Sequence, residues 1–521
     1  MAYTRPGVYV TESPLKTIAR ADNGTATAAF VGINPRGPLT PTLITSWSAY
    51  TNQFGDLNTL YDLGYAVYQF FANGGRSCYV SRVTYANAVK ATAASVMYYQ
   101  PNSTTASASL FSATALDPGT FGNDITLTTT AGTTTLDVAS NNFPTFNLSV
   151  KLNGVEVELW NELSPSPNSS RYAPIIVNNY SAYVNLTNFA AQTSASAGFT
   201  YTGASVAGFA LNKAFTGGTA GTAAVGSAAP ADWDTPFSTA FNDLISIPEP
   251  LIINAVGQFR SEIVKSALAV AATRGDSFVI IDPDPSLTTQ VGISAVANTY
   301  NSDQGYGAVY YPMLKMTDPT KTGVGAIRDT FPGGAVAGMF ARTEVERTVA
   351  KAPAGYSLEV RNALGLVTPF TEVTVGLLYE SGVNTFKAVP GAGIIIQGAR
   401  TLNLNKADKY IPVRRTLNYV KNGSKELTQF ALFEPNDSRL WSSITVKLNK
   451  FLADLWGSGG LKGRTPSEAF FVVCNSTNNT ATSISNGQVN VQIGVSLLYP
   501  AEFIVINVSQ WLGGSTTIET I

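Results

Sequence analysis

Three uninterrupted apolar runs constrain this chain more than anything else in it. Residues 250–256 read PLIINAV, 277–283 SFVIIDP and 306–312 YGAVYYP. None alternates polar with apolar residues, so each predicts a strand covered on both faces. Segments of helical period lie between them, at 261–272 and about 287–300. Strand–helix–strand–helix–strand order requires crossovers, and therefore a mostly parallel sheet with helices packed on it. Further helices are predicted over 333–349 and about 371–381, the second stopped by Gly382, before VNTFKAV and AGIIIQGA resume strand character.

With 521 residues and roughly 150 per domain, three or four domains are expected. TATAAFVGI, from Thr25, predicts a strand, followed by the turn Pro35-Arg36-Gly37-Pro38. Ser46 or Ser48 can cap a short helix through Phe54. A second helix is predicted over 60–71, with Leu63, Val67, Phe70 and Phe71 at helical spacing, closed by Asn73-Gly74-Gly75 before the strand CYVSRV. Composition then changes. Residues 101–230 are rich in Thr, Ser, Ala, Asn and Gly, with short alternating stretches ITLTTTA, FNLSVKLNG and VEVELW. This predicts a β-rich inserted domain with long loops, returning through TGGTAGTAAVGSAAPAD. Passive surface decoration and a receptor-binding surface both fit it.

The chemistry the chain lacks is informative. It has no histidine, which removes Ser-His-Asp and Cys-His catalysis and His-containing metal motifs. Cys78 and Cys474 are too few for a cysteine zinc site, and both sit in apolar strand-like surroundings, as buried small hydrophobes do. Asp282, Asp284 and Asp318 follow strands, where ligands often bind, but DPDPS is equally a turn and helix-cap sequence. GVGAIR lacks the third glycine of a dinucleotide fingerprint, and GSGGLKGR lacks the ending of a phosphate loop. With 33 basic and 34 acidic residues the net charge is −1, so nothing draws the chain generally to nucleic acid or anionic membrane. The opening does not resemble a signal peptide and no apolar run could span a bilayer, which predicts a soluble product made in a cytoplasm.

Near the C-terminus, PNDSRLWSSITVKLNKFLADLWGSGG predicts a helix capped by Asp437 or Ser438 and ended at Gly457. Leu440, Trp441, Ile444, Leu448, Phe451, Leu452 and Leu455 form its apolar face, with Ser443, Lys447, Lys450 and Asp454 opposite. That polar face is either solvated or a docking surface. A polar loop, STNNTATSISNG, leads to the alternating QVNVQIGVSLLYP and a last strand FIVINV. Each end of the chain thus carries a short extended segment: Gly7, Val8, Tyr9, Val10 and Thr11 at one, Phe503, Ile504, Val505, Ile506, Asn507 and Val508 at the other. Strands without a local partner suit donation to a sheet elsewhere, in the chain or in a neighbour.

YTRPGVYVTE, AAFVGINPRGP, TSWSAYTNQFG, FFANGGRSCYVSRV, GYSLEVRNALG and ESGVNTF occur in that order. RRTLNYV, FALFEPNDSRLWSSI, WGSGGLKGRTPSEAFFVVC and IGVSLLYPAEFIVINV follow. Together they resemble the contractile tail sheath family of bacteriophages and related contractile injection systems. The resemblance implies a structural subunit, not an enzyme, with no cofactor or metal. Taken with the residue patterns, it divides an α/β multidomain chain into an N-terminal strand-exchange arm 1–22, a first core segment 23–100, a mostly parallel α/β central domain 231–400, an α+β C-terminal assembly and tube-facing domain 401–498 and a C-terminal strand-exchange arm 499–521, while the β-rich inserted outer domain 101–230, read from composition, lies outside the strongest resemblance. The implied partners are further copies in a six-fold helical homopolymer, an inner tail tube, and baseplate and tail terminator proteins, without direct nucleic-acid binding or membrane insertion. The implied location is the tail sheath of a virion, assembled in the host bacterial cytoplasm. Ser443, Lys447, Lys450 and Asp454 are expected to face the tube, with Arg414 and Arg415 the next basic pair to consider. A non-contractile tail-tube or capsid shell protein is the structural alternative; an atypical hydrolase or glycan-binding protein is the remote one.

Overall fold

The computed structural model describes residues 25–85, 87–98, 108–138, 141–164, 166–187, 211–220, 233–301, 305–323, 325–403 and 409–502. It opens with β1 (Thr27–Ile33), β2 (Thr42–Ile44), α1 (Trp47–Phe54), α2 (Leu63–Ala72) and β3 (Cys78–Val83). Ser46 caps α1, its hydroxyl accepting from Ala49 N at 3.1 Å. Helix α2 starts at Leu63 rather than Leu60, because the Asn58 side chain takes the Leu60 amide at 2.9 Å and closes a turn there.

The next unit is antiparallel: β4 (Lys90–Tyr98), β5 (Ala108–Pro118), β6 (Ile125–Val138), β7 (Asn141–Leu152), β8 (Val155–Leu163), α3 (Ala173–Tyr180), β9 (Val184–Thr187) and β10 (Leu211–Ala214). Sheets β4-β5-β9 and β10-β6-β7-β8 enclose Phe111, Leu127, Leu148, Val150 and Phe215. The unit begins at Lys90, just after Val89 exchanges two backbone hydrogen bonds with Thr219, so the chain leaves and returns at one point. Two arginines fasten it to the body. Arg82 donates to the carbonyls of Asn34, Pro35 and Pro118 at 2.6, 2.9 and 2.7 Å. Arg36 donates to Asn52 and Ala182 carbonyls and lies 3.9 Å from the Tyr183 ring centre.

The central region follows: α4 (Asp234–Asp243), β11 (Leu251–Ala255), α5 (Ser261–Arg274), β12 (Phe278–Ile281), α6 (Gln290–Thr299), β13 (Gly307–Tyr311), β14 (Leu314–Thr317), β15 (Ile327–Thr330), α7 (Gly333–Glu346), β16 (Ala363–Leu366), α8 (Glu372–Glu380), β17 (Val383–Val389) and β18 (Gly393–Gln397). The main sheet runs β18-β17-β13-β12-β11-β1-β3-β2. All its pairings are parallel except the two at the edges, β17–β18 and β2–β3. Strand β1 sits between β11 and β3, so β1, β3 and β2, all near the N-terminus, extend a sheet whose remaining strands lie beyond residue 250. Phe30, Phe70 and Phe340 fill one face; Ile253, Val264, Ile293 and Leu378 fill the other. Helices α2 and α7 meet backbone to backbone: a Cβ at Gly334 would lie 2.1 Å from the Ala66 carbonyl, and one at Gly338 2.5 Å from that of Phe70.

The C-terminal region comprises α9 (Ile411–Thr428), α10 (Ser438–Gly457), α11 (Pro466–Ala469), β19 (Phe470–Val473), α12 (Ala481–Ser485) and β20 (Gln492–Val495). Three features differ from the sequence pattern. Helix α9 is unanticipated, because polar Arg414, Arg415 and Asn418 stand among its buried positions and break the apolar stripe. The loop STNNTATSISNG contains α12, capped by Thr480. The alternating run that follows forms only β20, since Asn479 Oδ1 takes the Asn490 amide at 2.6 Å and holds the chain off the ladder. Cys78 and Cys474 are buried and unbridged.

Candidate functional site

Helix α10 carries the face expected to meet a partner. Asp437 caps it, Oδ1 accepting from Arg439 N at 2.9 Å and Leu440 N at 3.0 Å. All seven residues of the predicted apolar face are buried. Part of that face packs on α9, where Tyr419 stacks with Phe451 at 5.5 Å. The Phe451 ring lies so close to Gly423 that a Cβ there would stand 2.4 Å away, which makes glycine necessary. Ser443, Lys447, Lys450 and Asp454 are all exposed. Lys447 is not simply solvated: its Nζ sits 3.3 Å from the centre of the Phe430 ring.

The reserve basic pair is corrected. Arg414 and Arg415 are 7% and 2% exposed and belong to the subunit's interior. Arg414 lies over the Tyr306 ring at 4.8 Å. Arg415 Nη2 donates to Glu344 Oε2 at 2.6 Å, and to the Thr25 carbonyl and hydroxyl oxygens at 3.2 and 3.0 Å. Glu344 also accepts from Thr25 N at 2.6 Å and Thr25 Oγ1 at 2.8 Å. A carboxylate in the last turn of α7 opposes the helix dipole, and Arg415 offsets that cost. Burial lowers the Arg415 pKa, while the Glu344 charge works against it.

The expected exchange strands, Gly7–Thr11 and Phe503–Val508, lie outside the described residues. Their roots do not. Thr25 is held by the cluster just described. Glu502 is clamped in the same manner: Arg400 Nη2 donates to Oε2 at 2.7 Å, and Tyr379 OH donates to Oε1 at 2.5 Å. Arg400 itself stacks 3.9 Å from the Tyr379 ring centre. Burial raises the Glu502 pKa, but the Arg400 and Tyr379 hydrogen bonds outweigh it and hold the carboxyl below its ordinary range. Sequence reasoning missed both clamps. The adjacent Arg414 and Arg415 were the available signal for the first clamp, and Arg400 gave none for the second.

Strands β19 and β20 pair antiparallel, Phe470 opposite Val495 and Val473 opposite Gln492. Among the described residues this ladder has two strands, and Phe471 stands 51% exposed on it.

The three strand-end carboxylates do not act together. Asp282 is buried and accepts from Gly257 N at 3.0 Å, Gly333 N at 2.9 Å and Asn254 Nδ2 at 3.2 Å. It therefore caps α7, distant in sequence, rather than the helix that follows it. Asp284 accepts from Ser286, and Asp318 from Thr320 and Tyr65, in local turns and core contacts. Among the described residues no group of three or more His, Cys, Asp or Glu is placed to hold a metal ion, and no helix is long and apolar enough to cross a membrane.

The phage tail sheath protein central domain matches residues 250–402, and the phage tail sheath C-terminal domain matches 405–510. The tail sheath protein of Vibrio phage KVP40 is 27% identical over 176 residues, 33% of this chain and 25% of that protein. That of Enterobacteria phage T4 is 26% identical over 155 residues, 29% and 23% respectively. The aligned stretch thus spans about a quarter of these relatives' length. In fold, the chain is similar to the sheath tail protein of Listeria innocua, with TM-score 0.58 and 13% identity, covering 91% of this chain and 95% of that one. A chain of the contracted anti-feeding prophage baseplate gives TM-score 0.58 at 17% identity, covering 98% and 100%. The phage tail sheath central and C-terminal domains thus match in order over residues 250–510, on a chain whose fold is similar to that of solved sheath proteins.

Proposed function

We propose that this chain is the structural subunit of a contractile tail sheath. It polymerises around an inner tail tube and contracts to drive the tube through the host cell envelope during genome delivery. The observation that carries this reading is the two-stranded β19–β20 ladder, which is short for an independent sheet. The segments Gly7–Thr11 and Phe503–Val508, strand-like in sequence, would supply what such a ladder lacks, namely main-chain donors and acceptors. Arriving from neighbouring subunits, they would complete it and join the copies. At roughly 1 kcal/mol per hydrogen bond one strand contributes a few kcal/mol, repeated at every lattice point. A surface that binds a different surface of its neighbour propagates into rings and helices, here with six-fold symmetry.

In the extended lattice the exposed Ser443, Lys447, Lys450 and Asp454 face the tube. Exposed ion pairs there are worth about 0–1 kcal/mol each, enough to set register and weak enough to release on expansion. Baseplate and terminator proteins close the ends. The free energy of contraction is stored during assembly, so the cycle needs no cofactor or nucleotide. Residues 101–230 form an outward decoration.

Electron microscopy of the purified protein tests the proposal, with hollow helical tubes and six-fold end views expected. Deleting residues 1–22 should leave a folded subunit that makes no long tubes, and Ile504→Pro should weaken the same lattice. Tubes of ordinary length and order after the deletion would refute strand exchange through this arm.

A further inference from the structure

Between α9 and α10 the chain turns through Leu432 and Phe433, which are 69% and 105% exposed. Phe433 has φ +66°, a left-handed conformation that bulky side chains avoid. Such strain persists only where surrounding structure enforces it, and it concentrates at functional positions. The loop is braced on both sides. Phe430 lies under Lys447 Nζ, and the Asn436 side chain accepts from Trp441 Nε1 at 2.8 Å and donates to the Gln488 carbonyl at 3.0 Å. Two large apolar side chains are therefore held out in water on a rigid mount.

The same molecule carries a matching recess. A groove of about 780 Å³ is walled by Ala352, Val375, Ile396, Leu498 and Tyr499. Gly376 of α8 also lines it, and a Cβ there would meet nothing within 4 Å. Lys351 stands at the rim with Nζ on the carbonyls of Ala352 and Ala354 at 3.0 and 3.3 Å, and no carboxylate pairs with it among the described residues. Burial and the neighbouring Arg347 charge push its pKa down, so an incoming anion is favoured there. Glu434, exposed and adjacent to Phe433, carries that charge.

Loop and groove sit at opposite ends of α9. Ile411 N donates to the carbonyl of Ala399, a groove residue, at 2.9 Å. From there α9 runs 18 residues, about 27 Å at 1.5 Å per residue, before the chain reaches Phe430. The loop cannot fill its own groove. We propose that the Phe433 loop of one copy of this chain inserts into the α8 groove of the next copy, with Glu434 facing Lys351. A knob and a hole at separate places make a heterologous contact, which propagates instead of closing as a pair. The inference rests on the self-assembling reading and supplies one of its contacts.

Two substitutions separate the contact from folding. Phe433→Asn places a residue tolerant of positive φ at the strained position, so the subunit's melting temperature should hold or rise. Gly376→Leu improves helix propensity and enters open space. Each should raise the subunit concentration needed for polymerisation at least tenfold, read by sedimentation and electron microscopy. The double variant Phe433→Cys with Val375→Cys should give a ladder of intermolecular disulfides on oxidation, absent from either single variant, since Cys78 and Cys474 are buried. Polymers at the wild-type threshold in both Phe433→Asn and Gly376→Leu, or polymers without the ladder, would overturn the contact and leave the sheath reading standing. Variants that polymerise alone but fail on tubes would make the tube the occupant and also overturn it. Wild-type protein that stays monomeric at every concentration would remove the lattice reading itself and this contact with it.

Discussion

Replacing Glu344 with Gln tests the cluster at the root of the N-terminal segment. The substitution keeps the side-chain shape and removes the charge facing Arg415, which is 2% exposed. The guanidinium would then rest against the Phe340 ring, 4.8 Å away, with the Thr25 oxygens as its remaining acceptors. Removing one partner of a buried ion pair costs about 3–5 kcal/mol. The Gln carbonyl can still accept one of the two Thr25 hydrogen bonds, which favours the lower end, about 3 kcal/mol. Urea unfolding should register that loss, and hydrogen exchange should accelerate at the Thr25 amide, which now donates to Glu344 at 2.6 Å. The double variant Glu344→Leu with Arg415→Met removes both charges and should recover most of the stability, because an apolar pair of similar volume is close to neutral. A Gln cost below about 1 kcal/mol would mean that the guanidinium is solvated after all. A double variant no better than the single one would mean that packing, not charge, holds the cluster. Either result would refute the reasoning.

Three further outcomes are expected. Burial raises the Asp282 pKa from 3.8 to about 6 against the pull of its hydrogen bonds, so the folded state holds a proton that the unfolded chain has lost. Stability should therefore fall as pH rises from about 4 to about 6, and Asp282→Asn should flatten that part of a urea-unfolding pH profile. Glu162 behaves oppositely: burial pushes its pKa up, but hydrogen bonds from Thr133, Thr134 and Thr145 outweigh it and bring the carboxyl to about 2. Its contribution to the antiparallel β4–β10 unit should be present above the unfolded pKa and disappear as pH falls toward 2, visible in Trp160 fluorescence and absent from Glu162→Gln. Excising the antiparallel β4–β10 unit at the Val89–Thr219 stem with a short Gly linker should leave a soluble, cooperatively folding body; aggregation across several linker lengths would place the unit within the body's core.

The sheet was legible in sequence where pattern and burial coincide. The runs at β11, β12 and β13 are buried on both faces and fold as their composition requires. The α10 stripe is likewise buried residue for residue, because one periodic face meets one core. Pairing over long separations was not legible: nothing local in TATAAFVGI states that it lies between β11 and β3. The arm-root clamps were hidden for another reason. Arg415 and Arg400 are cations satisfied by carboxylates distant in the chain, and a linear reading assigns such residues to the surface. The Phe433 loop was hidden because nothing local in FALF marks a left-handed residue with its ring exposed.

The contact of α2 with α7 bears on how the subunit responds to load. Where side chains separate two helices, rotamer changes let the helices slide and absorb work. At Gly334 and Gly338 that compliant layer is missing, and the peptide planes of Ala66 and Phe70 bear directly on α7. A shift of α7 by one turn would bring Arg342, four residues on and on the same face, to the place where Gly338 now meets the Phe70 carbonyl. Glu344, ten residues along α7 from Gly334, grips the root of the N-terminal segment. A pull on that segment therefore meets a stiff helix pair, and displacement at Thr25 passes along α7 to α2 with little lost to rotamer changes between them.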